Sequence, residues 1–304
     1  MIVLRSSDIL VLLDENHGGE MVSLVDLGSG RQLLGTPPFA ALAPLGGDLD
    51  EVTWTDRYRG GWQTVTPNAG NACIVDGDRH GFHGRASNDP WEVSAATDQA
   101  ATLTWVGHGL AITRTIELDG DGVAVATTWT ALEDEVAFVS VEHIAFGIEL
   151  LAPSATIRFP GGTVYEISET GGPIAPPSNA PTWPDALLLD GTHERADAVS
   201  LAEPSSRLLC VADVPEGRYE VVNDETGQGV RVTWDVAALP HLWLWREVRA
   251  TGGHWRSQAE ILGLEPASVP HSLGLGRARA EGQAAVLRRS ERHSSWVRLM
   301  PFQA

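Results

Sequence analysis

Two histidines three positions apart form the densest group of polar side chains in the sequence. His80 and His83 belong to the run His80-Gly-Phe-His83-Gly-Arg85, whose glycines are typical of a loop or strand end beside a cleft. Imidazole has an unperturbed pKa close to neutrality, which suits it to proton transfer at pH 7. The run therefore predicts an acid–base or ligand-binding site, and the alternative is a turn whose histidines only bond the backbone.

A third histidine and a glutamate lie inside apolar segments. His143 interrupts the run Val141-Glu-His-Ile-Ala-Phe-Gly147, and Glu265 follows Leu262-Gly-Leu264. Burial raises the pKa of a carboxyl group, and a glutamate perturbed in this way suits a general acid or base. The residues alone leave two alternatives open, a core histidine at 143 and a solvent-facing glutamate at 265.

A metal site is the less favoured interpretation of these side chains. It would combine His143 and a carboxylate with the pair His80 and His83, as in cupin-like β proteins, but HxxH spacing does not follow strand alternation. Glycine-rich phosphate loops, a GxSxG elbow and an HExxH motif are all absent from the sequence.

Aromatic and charged side chains offer further candidates for ligand contacts. The chain has 11 tryptophans, and several lie near glycine or proline turns. Aromatic faces with a polar edge suit ligand stacking, although most tryptophans fill cores. We expect at most two or three tryptophans to contact a ligand, from the set Trp54, Trp62, Trp91, Trp183, Trp243, Trp245 and Trp255. The favoured contacts are Trp62, Trp91, Trp183 and Trp245. The acidic run from Asp48 to Asp56 is interpreted as a solvated face.

The elements that would position these residues are β-strands, because apolar and polar residues alternate with period two along most of the chain. Strand, glycine turn and strand follow one another at 21–34, 102–129 and 218–234, which predicts hairpins. No amphipathic helix longer than two turns is expected. Short strands with turns between them predict an all-β fold, a large antiparallel sandwich, in one domain over residues 1–304.

One segment departs from this pattern. Residues 161–184 contain five prolines and four glycines. Proline cannot donate to a β-ladder, so we expect no central strand there, and a loop of this length is typically functional or disordered. Farther along, the stretch Trp296–Met300 is predicted to be the last strand.

Charge and composition exclude several classes of function. With 21 basic residues, all arginine, and 40 acidic residues, the net charge is −19. Such a field repels nucleic acid and anionic membrane, so neither is expected as a partner. Cys73 and Cys210 form no CxxC pair, and no signal peptide or apolar run of about 18 residues is seen. We therefore expect a cytoplasmic protein, and the oligomeric state is left open.

Five segments, in order along nearly the whole chain, resemble the aldose 1-epimerase (galactose mutarotase-like) family. They are Gly19–Leu27 with Arg31–Leu34, Gly60–Gly70, His83-Gly84 with Pro90–Val93, Glu142–Phe146, and Leu264–Ala267. The resemblance implies a large antiparallel β-supersandwich and the interconversion of the α and β anomers of a sugar. It also implies that no metal or organic cofactor is needed and that the partner is a small-molecule sugar.

The resemblance also assigns roles to residues of this chain. Glu265 would be the base that takes the proton from the anomeric hydroxyl, and His143 the acid that protonates the ring oxygen. His83 would hydrogen-bond and polarise the same region. The substrate-binding residues expected from these segments and from the candidates above are His80, Arg85, Trp62, Asn68, Trp91 and Trp245.

The chain departs from the family pattern in ways that leave the substrate open. Ile144 follows His143 where many relatives have proline, and His80-Gly81 aligns as well as His83-Gly84 with the family's histidine–glycine segment. No counterpart of the family's substrate-binding aspartate is found, since Trp243–Glu247 occupies that stretch. The sugar could be free, modified or phosphorylated, with Arg59, Arg85 and Arg246 as candidates for a phosphate. The alternative function is carbohydrate binding or sensing without turnover.

Overall fold

The computed structural model describes residues 1–37, 46–251 and 255–304. The strands within these ranges are β1 (Ile2–Arg5), β2 (Ile9–Asp14), β3 (Glu20–Asp26), β4 (Arg31–Gln32), β5 (Trp62–Val65), β6 (Cys73–Val75), β7 (Asp78–His80), β8 (Glu92–Ala96), β9 (Ala100–Gly107), β10 (Leu110–Asp119), β11 (Gly122–Ala131), β12 (Glu135–Phe138), β13 (Val141–Phe146), β14 (Ser154–Arg158), β15 (Thr163–Glu166), β16 (Asp185–Leu187), β17 (His193–Arg195), β18 (Ala198–Ser200), β19 (Ser205–Ala212), β20 (Arg218–Asn223), β21 (Gln228–Trp234), β22 (His241–Val248), β23 (Glu260–Ala267), β24 (Ala285–Arg288) and β25 (Arg292–Gln303). The α-helices are α1 (Glu51–Arg57), α2 (Ile148–Leu151) and α3 (Leu275–Ala280), and one turn of 3-10 helix covers Arg85–Ser87.

Most of the strands belong to two large sheets. The first sheet has twelve strands in the order β1-β2-β3-β5-β13-β23-β22-β19-β15-β16-β17, with β4 beside β3. The second sheet has nine strands in the order β18-β14-β20-β21-β25-β11-β10-β9-β8. Within the described residues, every pairing in these sheets is antiparallel except that of β15 with β16. The predicted fold class, an all-β galactose mutarotase-like sandwich, is confirmed.

The predicted hairpins are present. Strand β3 pairs with β4, β10 pairs with both β9 and β11, and β20 pairs with β21, all antiparallel. The predicted last strand is part of β25. We expected no central strand in residues 161–184. This was wrong for the first part of the segment, because Thr163–Glu166 form β15, which lies inside the first sheet between β19 and β16. The prolines all follow β15, so the ladder donors of that strand are intact.

The main core lies between the two sheets, and strand alternation decides which side chains enter it. In β13 and β23, the even-numbered residues Ile144, Phe146, Leu262 and Leu264 belong to this core. The odd-numbered residues of the same strands face the opposite side of the first sheet. The first sheet therefore has one face that packs on the second sheet and one face that is free to form a site.

A buried ion pair joins the sheets immediately next to His143. The Arg114 guanidinium on β10 donates to both oxygens of the Glu142 carboxylate on β13, at 2.7 and 2.8 Å. The Trp62 indole N–H donates to the same carboxylate at 2.6 Å, and both charged side chains are about 2% exposed. Such a bidentate pair is geometrically specific, so it holds β13 in position relative to the second sheet.

Several other expectations are untested. No helix among the described residues is long and apolar enough to cross a membrane. Both cysteines are free thiols. The predicted single domain over residues 1–304 and the predicted cytoplasmic location stay predictions.

Candidate active site

The free face of the first sheet forms one wall of a cavity of about 300 Å³. Helix α1 and the segment that follows β15 contribute to the remaining walls. The lining residues are Glu51, Trp54, Thr55, Phe82, His83, His143, Glu166, Ile167, Ser168, Glu169, Leu189, Ser206, Arg207, Leu208, Trp243, Trp245, Trp255 and Glu265. Of the nine residues that the sequence predicted, His83, His143, Trp245 and Glu265 meet at this cavity.

His143 and Glu265 are brought together by strand register. Strands β13 and β23 pair antiparallel with Val141 opposite Ala267 and Ala145 opposite Gly263. The same register sets His143 opposite Glu265, and directly opposed residues share a face of the sheet. The His143 Nε2 lies 3.5 Å from the Glu265 Oε1. The acid–base pair is thus a cross-strand pair, built from residues more than a hundred positions apart.

Gly263 leaves the space that the Glu265 carboxylate occupies. A Cβ atom at position 263 would overlap Glu265 Oε1 and would lie 3.2 Å from the Trp245 ring. Gly263 does not have a positive φ, so its backbone conformation is open to any residue. Glycine is therefore needed at position 263 because a side chain there would clash with the Glu265 carboxylate, and not because of its backbone conformation.

Aromatic side chains enclose His143. The Tyr58 hydroxyl lies 3.4 Å from His143 Nδ1, on the opposite side of the ring from Glu265. The ring centroids of Trp54 and Trp245 lie 6.2 and 5.8 Å from the imidazole centroid. Burial and the carboxylates of Glu265 and Glu20 raise the pKa of Tyr58 well above its ordinary value. Tyr58 therefore stays a neutral phenol whose oxygen can accept the Nδ1–H of His143, which directs Nε2 toward Glu265.

Burial shifts the pKa values of Glu265 and His143 in opposite directions. It raises the pKa of Glu265 well above its ordinary value, with a further contribution from Glu169, and it lowers the pKa of His143 to about 4. Burial disfavours each charged form, so the neutral pair competes with the ion pair. A protonated Glu265 with neutral His143 contains the same number of protons as a carboxylate with an imidazolium. One proton can therefore move between Nε2 and Oε1 without exchange with solvent.

His83 reaches the cavity from a tight turn. Its φ is +58°, in the left-handed region that few residues other than glycine adopt. The Gly70 N–H donates to His83 Nδ1 at 3.1 Å, which leaves Nε2 as the protonated nitrogen of the neutral ring. Burial and the nearby His143 lower the pKa of His83, and the two ring centroids lie 5.9 Å apart. His83 is thus a neutral hydrogen-bond donor beside the pair.

Asn68 stabilises this turn through hydrogen bonds between its side chain and backbone groups. Its amide N–H groups donate to the carbonyls of Asn71 and Gly81 at 2.9 and 2.7 Å, and its Oδ1 accepts from the Leu275 N–H at 2.6 Å. The side chain is fully buried and does not line the cavity. Asn68, predicted as a substrate contact, instead holds the loop that carries Gly70.

Apart from Trp245, the predicted tryptophan contacts either lie in the core or pack against it. Trp62 is fully buried between the sheets, where it binds Glu142. Trp91 is 3% exposed and donates to the Ala86 carbonyl. Trp183 packs against the main core and contacts the Phe159 ring at 5.4 Å between centroids. These three side chains do not line the cavity.

His80 and Arg85 also lie away from the cavity lining. The His80 ring stacks on His108 at 4.2 Å between centroids. Arg85 pairs with Asp89, with its Nε 3.0 Å from Oδ2. His83, and not His80, therefore lines the cavity.

Glu51, Trp54 and Glu169 line the cavity although none of them was among the nine predicted site residues. Glu169 belongs to the segment that was marked as functional or disordered, although no residue of it was singled out. Burial, with a contribution from Glu51, raises the pKa of Glu169 to about 7. Glu51 and Trp54 come from α1, whose acidic run was assigned to a solvated face. In that run, Asp50 caps α1 by accepting from the Thr53 N–H at 2.7 Å.

No three His, Cys, Asp or Glu side chains among residues 1–37, 46–251 and 255–304 are grouped so that they could hold a metal ion. The polar groups at the cavity include the imidazoles of His83 and His143 and several carboxyl groups, which suit proton transfer and hydrogen bonding.

Solved structures with the same fold are found over the full length of the chain. The Slr1438 protein of Synechocystis sp. PCC 6803 is 16% identical, with a TM-score of 0.72, and the match covers 100% of this chain and 96% of that one. A galactose mutarotase-like protein of Lactobacillus casei ATCC 334 is 16% identical, with a TM-score of 0.68 and coverage of 99% and 100%. A galactose mutarotase-like protein of Clostridium acetobutylicum is 15% identical, with a TM-score of 0.67 and coverage of 99% and 95%. At these identities, the likeness extends to the fold alone.

Sequence comparison gives the family. No curated protein matches the chain at a significant level. The sequence model of one family, described as a domain of unknown function (DUF4432), matches residues 37–300, which is most of the chain. This chain is therefore a member of the DUF4432 family, with a galactose mutarotase-like fold.

Proposed function

We propose that this protein is an isomerase of the aldose 1-epimerase type, which interconverts the α and β anomers of a sugar by ring opening and closure. The observation that carries the proposal is the pairing of His143 and Glu265, buried side by side at one cavity with 3.5 Å between Nε2 and Oε1. Ring opening requires one proton to be removed and another to be delivered at neighbouring oxygens, and this pair has one group for each task.

In the proposed reaction, the Glu265 carboxylate takes the proton of the anomeric hydroxyl. The C1–O1 bond becomes a carbonyl as the C1–O5 bond breaks, and the His143 imidazolium gives its proton to O5. Rotation about C1–C2 then presents the other face of the aldehyde. The reverse proton transfers close the ring as the opposite anomer and return both groups to their starting forms, so the overall reaction is balanced.

The protonation of the pair supports these roles. Because burial disfavours both charged groups, the two side chains can share a single proton, as the neutral pair or as the ion pair. The ion pair is the reactive form, and hydrogen bonds from bound sugar hydroxyls would stabilise it. His83, neutral and with Nε2–H available, would donate to a sugar oxygen beside the pair.

The cavity walls suit a sugar ring. Trp54, Trp245 and Trp255 offer aromatic faces for the C–H surface of a pyranose, and carboxylates offer acceptors for its hydroxyls. A volume of about 300 Å³ lies at the lower end of the range for small-molecule sites. These features support a small-molecule sugar as the partner.

Anomer exchange measured by NMR tests the proposal. Wild-type protein should accelerate exchange of at least one aldose above its spontaneous rate, and Glu265→Gln should lower that acceleration by about 10²–10⁴-fold. His143→Asn should give a similar loss. Tryptophan fluorescence should show that Glu265→Gln still binds the sugar. Acceleration that persists in Glu265→Gln would refute the assignment of the base, and binding without acceleration by the wild type would favour carbohydrate sensing.

A further inference from the structure

A buried polar row crosses the free face of the first sheet and includes the proposed acid–base pair. The register of β3 with β5 places Glu20 beside Gln63, and Gln63 lies opposite His143 in the pairing of β5 with β13. His143 in turn lies opposite Glu265, as described above. The four side chains are at most 5% exposed. The row therefore continues past His143 to Glu20, on the side away from Glu265.

Glu20 binds several polar neighbours in this row. The Gln63 Nε2 donates to Glu20 Oε2 at 2.6 Å, and the Arg59 guanidinium pairs with Glu20 Oε1. His17 Nδ1 lies 3.0 Å from Glu20 Oε2, and Arg59 also donates to Asp14 Oδ2 at 2.8 Å. Glu20 is fully buried, and an apolar pair of similar volume is often as stable as a buried ion pair. Stability alone therefore does not explain a carboxylate at this position.

Arg59 connects Glu20 to the residue that contacts His143. Tyr58 and Arg59 are consecutive in the chain, immediately after α1, so an anchored Arg59 side chain also fixes the backbone that carries Tyr58. The Tyr58 hydroxyl lies 3.4 Å from His143 Nδ1. Gln63, the other partner of Glu20, packs beside His143 on the next strand. Glu20 thus holds both neighbours of His143 on the side away from Glu265.

The residues of this cluster lie behind the cavity. Glu20, Gln63 and Arg59 are not among the described residues that line it. An effect of Glu20 on the reaction would therefore act through His143 and not through contact with the sugar. A role of this kind changes the rate at saturating sugar and leaves the affinity for the sugar unchanged.

We propose that Glu20 is a positioning residue of this site, which holds Tyr58 through Arg59 so that the Tyr58 oxygen keeps a proton on Nδ1 of His143. Nε2 is then the nitrogen that shares a proton with Glu265. The inference rests on the proposed function, because it assigns a task toward the same acid–base pair. It concerns the protonated nitrogen of one imidazole, so it can be tested without turnover.

Nitrogen-15 NMR of histidine-labelled protein at about pH 7 tests the inference. The signals of His143 are assigned by their loss in His143→Asn. In the wild type, Nδ1 should carry a proton both in the neutral pair and in the ion pair. Glu20→Gln keeps the size of the side chain but removes the charge that holds Arg59. It should shift the Nδ1 signal toward the value of a nitrogen without a proton, as the Nε2–H tautomer becomes populated.

A second variant keeps the test decisive if Glu20→Gln does not fold. Arg59→Lys retains the positive charge but lacks the planar fork of donors, so it should also shift the Nδ1 signal. Glu117→Gln removes the same charge as Glu20→Gln from an exposed position of the second sheet, and it should leave the signal unchanged.

Kinetics give an independent readout where anomer exchange is catalysed. Glu20→Gln should lower kcat about fivefold at unchanged KM, which is the effect of losing one hydrogen bond. The same substitution should have little further effect in Tyr58→Phe, because Glu20 acts through Tyr58.

The results separate this inference from the proposed function. A wild-type Nδ1 without a proton, an unchanged Nδ1 signal in folded Glu20→Gln or Arg59→Lys, or rate losses that add fully with Tyr58→Phe would each overturn the inference, even if exchange is catalysed. A lower urea midpoint with an unchanged signal would show that Glu20 is only structural. A shifted signal without any exchange by the wild type would support the inference while refuting the isomerase.

Discussion

A methyl group added at position 263 should displace the catalytic carboxylate while leaving the fold intact. In Gly263→Ala, the new Cβ would overlap Glu265 Oε1, so the carboxylate must move by about 1 Å to reach an ordinary contact distance. A misplacement of this size lowers catalysis by about 10²-fold. The strand should tolerate the change, because φ at this position is not in the left-handed region and alanine restricts the unfolded chain more than glycine does.

The assay compares kcat/KM for anomer exchange with the urea midpoint of unfolding in the same preparations. We expect Gly263→Ala to lose about 10²-fold in kcat/KM with a midpoint close to that of the wild type. Gly28→Ala is the control, since it places a methyl group at the exposed turn between β3 and β4. Full activity in Gly263→Ala would refute the reasoning, because it would mean that the position of the Glu265 carboxylate does not limit the reaction.

Three further variants test the surroundings of the site. Glu142→Leu should destabilise the fold by about 3–5 kcal/mol in urea unfolding, since it leaves the Arg114 charge buried alone, and a loss no larger than that of Glu117→Gln would contradict this. Glu169→Gln should stabilise the protein by up to about 3 kcal/mol above pH 7 and not below pH 4.5. The folded wild-type protein keeps the Glu169 proton up to a pKa of about 7, so its free energy of unfolding falls as pH rises from 4.5 to 7. Equal urea midpoints for the wild type and Glu169→Gln at high pH would refute this prediction. Tyr58→Phe should slow anomer exchange severalfold at unchanged sugar affinity, because it removes the oxygen facing His143 Nδ1, and an unchanged rate would show that Tyr58 does not orient the ring.

Local structure could be predicted from the sequence because its signals are local. The hairpins follow from alternation of apolar residues and from glycine turns, so the pairing of β10 with β9 and β11 was predictable. His143 and Glu265 were found through the resemblance to a family. Their contact depends on the register of β13 with β23, and no pattern near either residue encodes that register.

Three of the four chosen tryptophans do not line the cavity, and the reason is physical. Composition does not indicate which face of a strand a tryptophan occupies. Trp62 pairs with Ile144 and so faces the second sheet, whereas His143, one residue earlier on β13, faces the cavity. Glu169 could not be selected from the sequence, because no pattern near it indicates that the segment after β15 lines the cavity.

The most direct test of the central claim is anomer exchange by NMR with wild-type protein and Glu265→Gln on the same panel of sugars. The panel contains aminodeoxy, neutral and phosphorylated aldoses. The account predicts exchange above the spontaneous rate for an aldose with wild-type protein, and a loss of about 10²–10⁴-fold in Glu265→Gln with the sugar still bound. No acceleration for any sugar that binds, or equal acceleration by both proteins, would contradict it.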